Sequence, residues 1–140
     1  MTVTRLERAA LLYARLALGA SFLSAVAGRF GVWDRTVDWA HFQRFIAYTG
    51  QVNAFMPAST IPLLAWAATV AEITCGVALI TGCYLRWAAA ASAALLATFA
   101  LAMAFSLGAK SPLDYSVFSA SAGALLLAVF VSRTEGRPQS

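Results

Sequence analysis

The chain has 140 residues and a formal net charge of +4; 61% of its residues are hydrophobic and only 11% are charged. An ordinary soluble domain is about 45–50% apolar and about 25% charged, and a soluble fold of this size keeps a large share of its surface in water. The composition therefore excludes a small soluble domain. Nine glycines, four prolines and two cysteines also exclude collagenous and disulfide-scaffold proteins, which leaves an integral membrane protein.

The positive charge is interpreted from the placement of the ten basic residues, which stand mostly at the edges of apolar runs and form no block. Lys and Arg at such edges anchor helix ends to lipid headgroups, so we expect the lipid bilayer and no nucleic acid as a partner. The two cysteines, Cys75 and Cys83, are about 12 Å apart along a helix, too far for a disulfide within it. Their role stays open.

Four apolar runs predict four membrane-spanning helices. They are 18 to 25 residues long, and about 20 residues are needed to cross the hydrocarbon core. The last three follow one another so closely that they must be antiparallel neighbours. We therefore predict an all-α membrane four-helix bundle in up-down-up-down order, forming a single domain over residues 1–140 with spans at Ala9–Gly28, Ile61–Leu85, Trp87–Leu107 and Tyr115–Ser132.

Local signals mark two helix starts. Thr4 and Glu7 have capping-box spacing just before the first run. Ser111 and Asp114 have the same spacing before the fourth, with Pro112 at the first helical position, where its missing N–H costs nothing.

The first connection, Arg29–Thr60, is the only one long enough to hold structure of its own. Its aromatic residues recur at helical spacing over Trp39–Tyr48, and Asp38 stands where it can cap that segment. We predict a short amphipathic helix that lies on the membrane surface or folds over the mouth of the bundle. His41 falls on its polar face, and no second ligand at metal-binding spacing stands near it, so we expect no metal site.

The basic residues also give a weak indication of orientation. If both termini are cytoplasmic, five basic residues lie inside and four outside, in the sense of the positive-inside rule. We predict cytoplasmic termini. The inner set is Arg5, Arg8, Arg86, Arg133 and Arg137, and the outer set is Arg29, Arg35, Arg44 and Lys110.

Four ionisable residues in or beside the spans need a partner or a function, because a charge inside a bilayer costs about 2.5–3.5 kcal/mol. Glu72 lies deepest and shares a helix face with Gly76, which directs it into the bundle. Arg15 is its expected partner, although a rise of about 1.5 Å per residue leaves them about 10 Å apart in height. Arg29 and Asp114 stand at the outer ends of their spans and can pair there.

Two interpretations of these charges stay open. In the first, Glu72 forms a structural ion pair or is protonated and neutral, and Asp114 only stabilises the N-terminus of its helix. In the second, Glu72 and Arg15 act on a proton or a ligand, with Asp114 and Arg29 completing its binding site.

The order of these residues along the chain resembles the DoxX family. Arg15–Leu23 followed by Gly28-Arg29 looks like the first helix of that family. Glu72–Gly82 followed by Arg86–Ala89 is similar to its second helix and turn, and Leu113-Asp114 resembles a third element. The resemblance covers nearly the whole chain.

The resemblance implies a four-helix protein of the bacterial inner membrane associated with a quinone-linked redox complex. It would place quinone or quinol near Arg15, Glu72 and Asp114. No cofactor motif accompanies these residues, so whether the chain is itself an enzyme stays open.

Two classes of function compete. In one, the chain is a redox-associated subunit, with Glu72 exchanging a proton with quinone and Arg15 stabilising the charge. In the other, it is a non-enzymatic subunit that assembles or stabilises a partner membrane complex; a component of a small-solute transporter is a third, weaker possibility. We expect a quinone or lipid ligand, and as a partner a second copy of the chain in a homo-oligomer or another membrane complex.

Overall fold

The structure of the protein is a computed structural model that describes residues 4–135. This part of the chain is helical and contains no strand, which confirms the all-α prediction. The helices are α1 (Arg5–Arg29), α2 (Trp39–Val52), α3 (Ile61–Thr81), α4 (Leu85–Leu107), α5 (Lys110–Asp114) and α6 (Val117–Glu135), and a 3₁₀ turn at Ala58–Thr60 leads into α3.

Four of these helices, α1, α3 with its 3₁₀ turn, α4 and α6, are long and apolar enough to cross a membrane. The chain is therefore a multi-pass membrane protein, as its composition predicts. Helix α1 packs along α3, and α4 packs along α6 and α3. The buried core between them includes Phe22 of α1, Leu79 of α3, Ala89 of α4 and Leu127 of α6.

The predicted start of α1 is confirmed. Thr4 is the N-cap residue; its hydroxyl accepts a hydrogen bond from the Glu7 backbone N–H at 3.2 Å, and the Glu7 carboxylate accepts one from the Thr4 N–H at 2.6 Å. This reciprocal pair satisfies two N–H groups that the first turn of a helix leaves without partners.

The predicted start of the last span is wrong. Lys110–Asp114 forms the short helix α5, and no side chain caps its first turn. Ser116 then adopts a left-handed conformation with φ of 55°, which a continuous α-helix does not tolerate. Helix α6 therefore begins at Val117, after this break.

Helices α1 and α3 approach each other through two glycines. A Cβ atom on Gly19 would lie 2.7 Å from Ile80 Cγ1 and 2.9 Å from the Gly76 carbonyl oxygen, and one on Gly76 would lie 3.0 Å from Leu23 Cγ. Only glycine permits so close an approach of two helix backbones, which is a common device in lipid. This contact sets the distance between the side chains that α1 and α3 direct at each other.

The predicted amphipathic helix is present as α2, four residues longer than expected, with Asp38 as its N-cap. It packs against α1, α3 and α4, so the placement over the mouth of the bundle is the one observed. Phe42, the fourth residue of α2, is fully buried, with its ring 5.2 Å from that of Phe30 and 4.5 Å from that of Trp66. This aromatic cluster fixes α2 on the ends of α1 and α3.

Candidate functional site

Glu72 forms its ion pair with Arg29, the last residue of α1, and not with Arg15 as predicted. Both side chains are largely buried, with relative exposures of 5% for Glu72 and 11% for Arg29. Arg29 reaches Glu72 because α1 and α3 are antiparallel and closely packed. The side chain thus extends from the helix end to a carboxylate in the middle of the neighbouring helix.

Two further contacts hold the Arg29 guanidinium. Its Nη1 donates a hydrogen bond of 3.0 Å to the Thr69 hydroxyl, which in turn donates to the Ala65 carbonyl at 2.8 Å. Its Cζ lies 3.9 Å from the ring centre of Phe45 on α2, a cation–π contact. The cation is therefore held by a carboxylate, a hydroxyl and an aromatic face from two different helices.

Sequence reasoning missed both Thr69 and Phe45 as members of the site. Thr69 stands three residues before Glu72 and so lies on the same helix face, a signal that was available. Phe45 belongs to the predicted aromatic stripe, but nothing in the sequence indicates that this stripe meets Arg29.

A cavity of about 160 Å³ adjoins the ion pair between α2, α3 and α4. Its polar groups come from Arg29, Glu72, Tyr48, Thr49, Asn53 and Thr98. Its apolar walls come from Phe45, Val52, Leu64, Ala68, Phe99, Ala102 and Met103. The site is thus an apolar chamber with a guanidinium and a carboxylate on one wall.

Arginine offers N–H donors only, and an ionised carboxylate offers acceptors only. Thr69 and Glu72 occupy part of the five N–H donors of Arg29, and both Arg29 and Glu72 line the cavity. The wall therefore suits an uncharged ligand that carries both an acceptor and a donor.

The family model of the methylamine utilisation protein MauE matches residues 7–116, which is more than three quarters of the chain. The chain belongs to the MauE family. The assignment to DoxX is therefore wrong. The motifs on which it was based consist mostly of apolar and small residues, which membrane helices of different families share. No curated protein and no solved structure matches the chain.

In this MauE-family chain, Arg15 lies at the opposite end of α3 from the cavity. Its Nη2 donates to the Ile80 carbonyl at 3.0 Å, and a Cβ atom on Gly82 would lie 2.8 Å from its Nη1. Gly82 is left-handed, with φ of 79°, and ends α3 at Thr81, four residues before the predicted end of that span. Arg15 thus supplies a donor to one of the last carbonyls of the helix, which have no partner within it.

Asp114 also lies apart from the Arg29–Glu72 pair. It is more than half exposed and pairs with Lys110 one turn earlier on α5. The pair that the sequence suggested with Arg29 does not form, because Arg29 turns inward to Glu72. Of the four residues predicted for the site, the MauE-family structure therefore brings together two.

A second polar cluster holds the start of α2. The His41 ring lies between two carboxylates, with Nδ1 2.7 Å from Asp38 Oδ1 and Nε2 3.1 Å from Asp34 Oδ2. The hydrogen bonds from the ring and the backbone N–H of His41 lower the pKa of Asp38. Across residues 4–135, no three His, Cys, Asp or Glu side chains gather as a metal site.

Tyr48 on α2 lines the cavity, and burial there, together with the nearby Tyr115, raises the pKa of its hydroxyl. It remains protonated at neutral pH and can therefore donate a hydrogen bond. Cys75 is buried in the core and Cys83 is exposed beyond the end of α3; both are free thiols, and neither lines the cavity.

Proposed function

We propose that this MauE-family protein is a membrane subunit that works with a redox partner and binds the ring of a quinone or quinol beside Arg29 and Glu72. The observation that carries the proposal is the buried ion pair on the wall of a small apolar cavity. The family description connects the chain with methylamine utilisation, and we propose that the subunit acts in that process.

The size of the cavity supports a single-ring ligand. Its volume is about 160 Å³, and an apolar protein cavity of about 150 Å³ takes up one benzene molecule. The ring of a benzoquinone is of this size. The side chains of Phe45, Phe99 and Met103 supply the apolar and aromatic surface that such a ring packs against.

The polar wall supports a ligand whose oxygen atoms accept hydrogen bonds in one redox state and also donate them in the other. A quinone carbonyl accepts a hydrogen bond from Arg29, and a quinol hydroxyl donates one to Glu72. Full reduction of a quinone takes up two electrons and two protons. In this proposal Glu72 passes one proton to or from a ring oxygen, and the redox partner supplies or accepts both electrons and the second proton.

The proposed setting is the inner membrane, with both termini cytoplasmic. Helix α2 then covers the outer mouth of the bundle, and the cavity lies beneath it. Arg15 is a positioning residue in this proposal, since it acts on the end of α3 and does not line the cavity.

The test is the binding of a short-chain benzoquinone to the purified protein in lipid nanodiscs, with a cavity-filling variant and a matched control. Ala68 lines the cavity, whereas the adjacent Ala67 is exposed on the outer face of α3. We expect Ala68→Phe to weaken binding at least tenfold and Ala67→Phe to leave it unchanged. Equal binding by both variants, or no saturable binding by the parent, would overturn the proposal in favour of an assembly or stabilising role.

A further inference from the structure

An open groove of about 890 Å³ lies next to the cavity, along α4. Four residues line both spaces: Asn53, Leu64, Thr98 and Ala102. The groove then runs between the α2–α3 connection and the last turns of α4. The groove and the cavity are therefore adjacent, with these four residues at their shared border.

The surface of the groove is apolar. Phe55 and Met56 line it from the α2–α3 connection, and Leu101 and Phe105 line it from α4. Leu101 and Phe105 are 51% and 83% exposed, on a helix long and apolar enough to cross the membrane. The outer end of the groove therefore lies on an exposed apolar face of α4 that is suited to contact with the bilayer.

The polar side chains at the junction are already paired within their own helices. The Thr98 hydroxyl donates to the Ala94 carbonyl at 2.9 Å, and the Asn53 amide donates to the Thr49 carbonyl at 3.0 Å. The Thr98 hydroxyl and one N–H of the Asn53 amide are thus already paired, and an apolar chain that lies against them leaves these two donors satisfied. The charged side chains that line the cavity and the groove are those of Arg29 and Glu72.

We infer that the groove holds the hydrocarbon chain of the same ligand whose ring occupies the cavity, so that the ligand is a quinone with a long apolar tail that enters laterally from the bilayer. This inference rests on the proposed function. It adds the class of tail, its path between the α2–α3 connection and α4, and the side of the protein on which the ligand exchanges. The border that the two spaces share favours one molecule over a separate lipid in the groove.

The length of the tail alone is a poor test, because lipid and the groove are similarly apolar and little hydrophobic free energy separates them. Contact is a better measure. We would use a benzoquinone whose isoprenoid chain carries a photoreactive diazirine, bound to the protein in nanodiscs and mapped by mass spectrometry after irradiation. The expected labels fall on Phe55, Leu101 and Phe105, and an excess of unlabelled quinone removes them.

Two variants on α4 complete the experiment. Ser106 lines only the groove, and Ala91 is exposed four turns earlier on the same helix. We expect Ser106→Trp to reduce groove labelling several-fold while a ring-only benzoquinone binds as it does to the parent. Ala91→Trp should change neither measurement.

The outcomes separate the two proposals. If the ring-only benzoquinone binds the parent protein but the diazirine labels all lipid-facing helices evenly, the tail lies free in the bilayer. The groove inference is then wrong. Groove labelling that excess quinone does not compete away identifies a bilayer lipid chain as the occupant, which also overturns the inference. If the ring-only ligand does not bind the parent, the proposed function itself fails.

Discussion

Arg29 at the end of α1 and Glu72 in the middle of α3 form a buried ion pair across the helix interface that Gly19 and Gly76 bring together. The pair stands at one wall of the cavity, so the same contact that joins two membrane helices also provides the charged groups of the proposed site.

Replacement of one partner should destabilise the protein. Glu72→Gln leaves the Arg29 cation without a counter-ion, and breaking a buried pair in this way costs about 3–5 kcal/mol. The double variant Arg29→Leu with Glu72→Leu should recover most of this loss, because apolar groups of similar volume replace both charges. Thermal unfolding in detergent measures both effects.

The same double variant separates structure from function. We expect it to fold and to lose quinone binding, since neither the donor nor the acceptor of the ring remains. A stable double variant that binds quinone as tightly as the parent would remove the ion pair from the site.

The α1–α3 contact gives a second prediction. A methyl group on Gly19 would meet Ile80 and the Gly76 carbonyl at less than 3 Å, so Gly19→Ala should destabilise by about 1–3 kcal/mol through overpacking. Gly123 on α6 has open space at its Cβ position, and Gly123→Ala should be neutral or stabilising because alanine favours helix. Equal effects in unfolding measurements would contradict the close packing of α1 on α3.

The start of α2 should depend on pH through Asp38. Its pKa is lowered in the folded protein by hydrogen bonds from His41, so its contribution to stability is present above the ordinary carboxyl pKa of about 4. That contribution is lost as the pH falls through the lower, folded value. Asp38→Asn retains a good N-cap and should remove the dependence.

Hydrogen exchange at the His41 amide, which donates to Asp38 Oδ1 at 3.1 Å, reports on this turn. In the parent its protection factor should fall on acidification, whereas in Asp38→Asn it should stay level. A parallel loss in both proteins would assign the acid effect to another group, such as Asp34 on the other side of the imidazole ring.

The orientation of the chain can be tested with single cysteines in a background where Cys75 and Cys83 are replaced by alanine. Arg86, the second residue of α4, and Lys110, three residues after its end, lie at opposite ends of that helix and are exposed. With cytoplasmic termini, Lys110→Cys should react with an impermeant maleimide from outside intact cells and Arg86→Cys only after permeabilisation. The reverse pattern would invert the topology.

The sequence alone determined that this is an all-helical membrane protein. Apolar runs long enough to cross a bilayer, the Thr4–Glu7 capping box and the Asp38 N-cap are local features, and each is confirmed in the structure. The predicted end of the second span and the predicted start of the fourth span were wrong because of local backbone conformation. The left-handed conformations at Gly82 and Ser116 interrupt apolar stretches in which hydrophobicity alone shows no break.

Only the tertiary structure decided which charges meet. From the sequence, Arg15 and Arg29 are both cations that could pair with Glu72. Counting residues gives the height of each arginine along its helix, but not how far its side chain extends or how α1 is rotated against α3. The close approach at Gly19 and Gly76 sets the rotation of α1 against α3, and that rotation directs Arg29 to Glu72 and Arg15 to the end of α3. The cavity likewise depends on α2 folding over the bundle. The sequence could not predict it, because side-chain contacts between helices that are distant in sequence leave no signal in the periodicity of either helix.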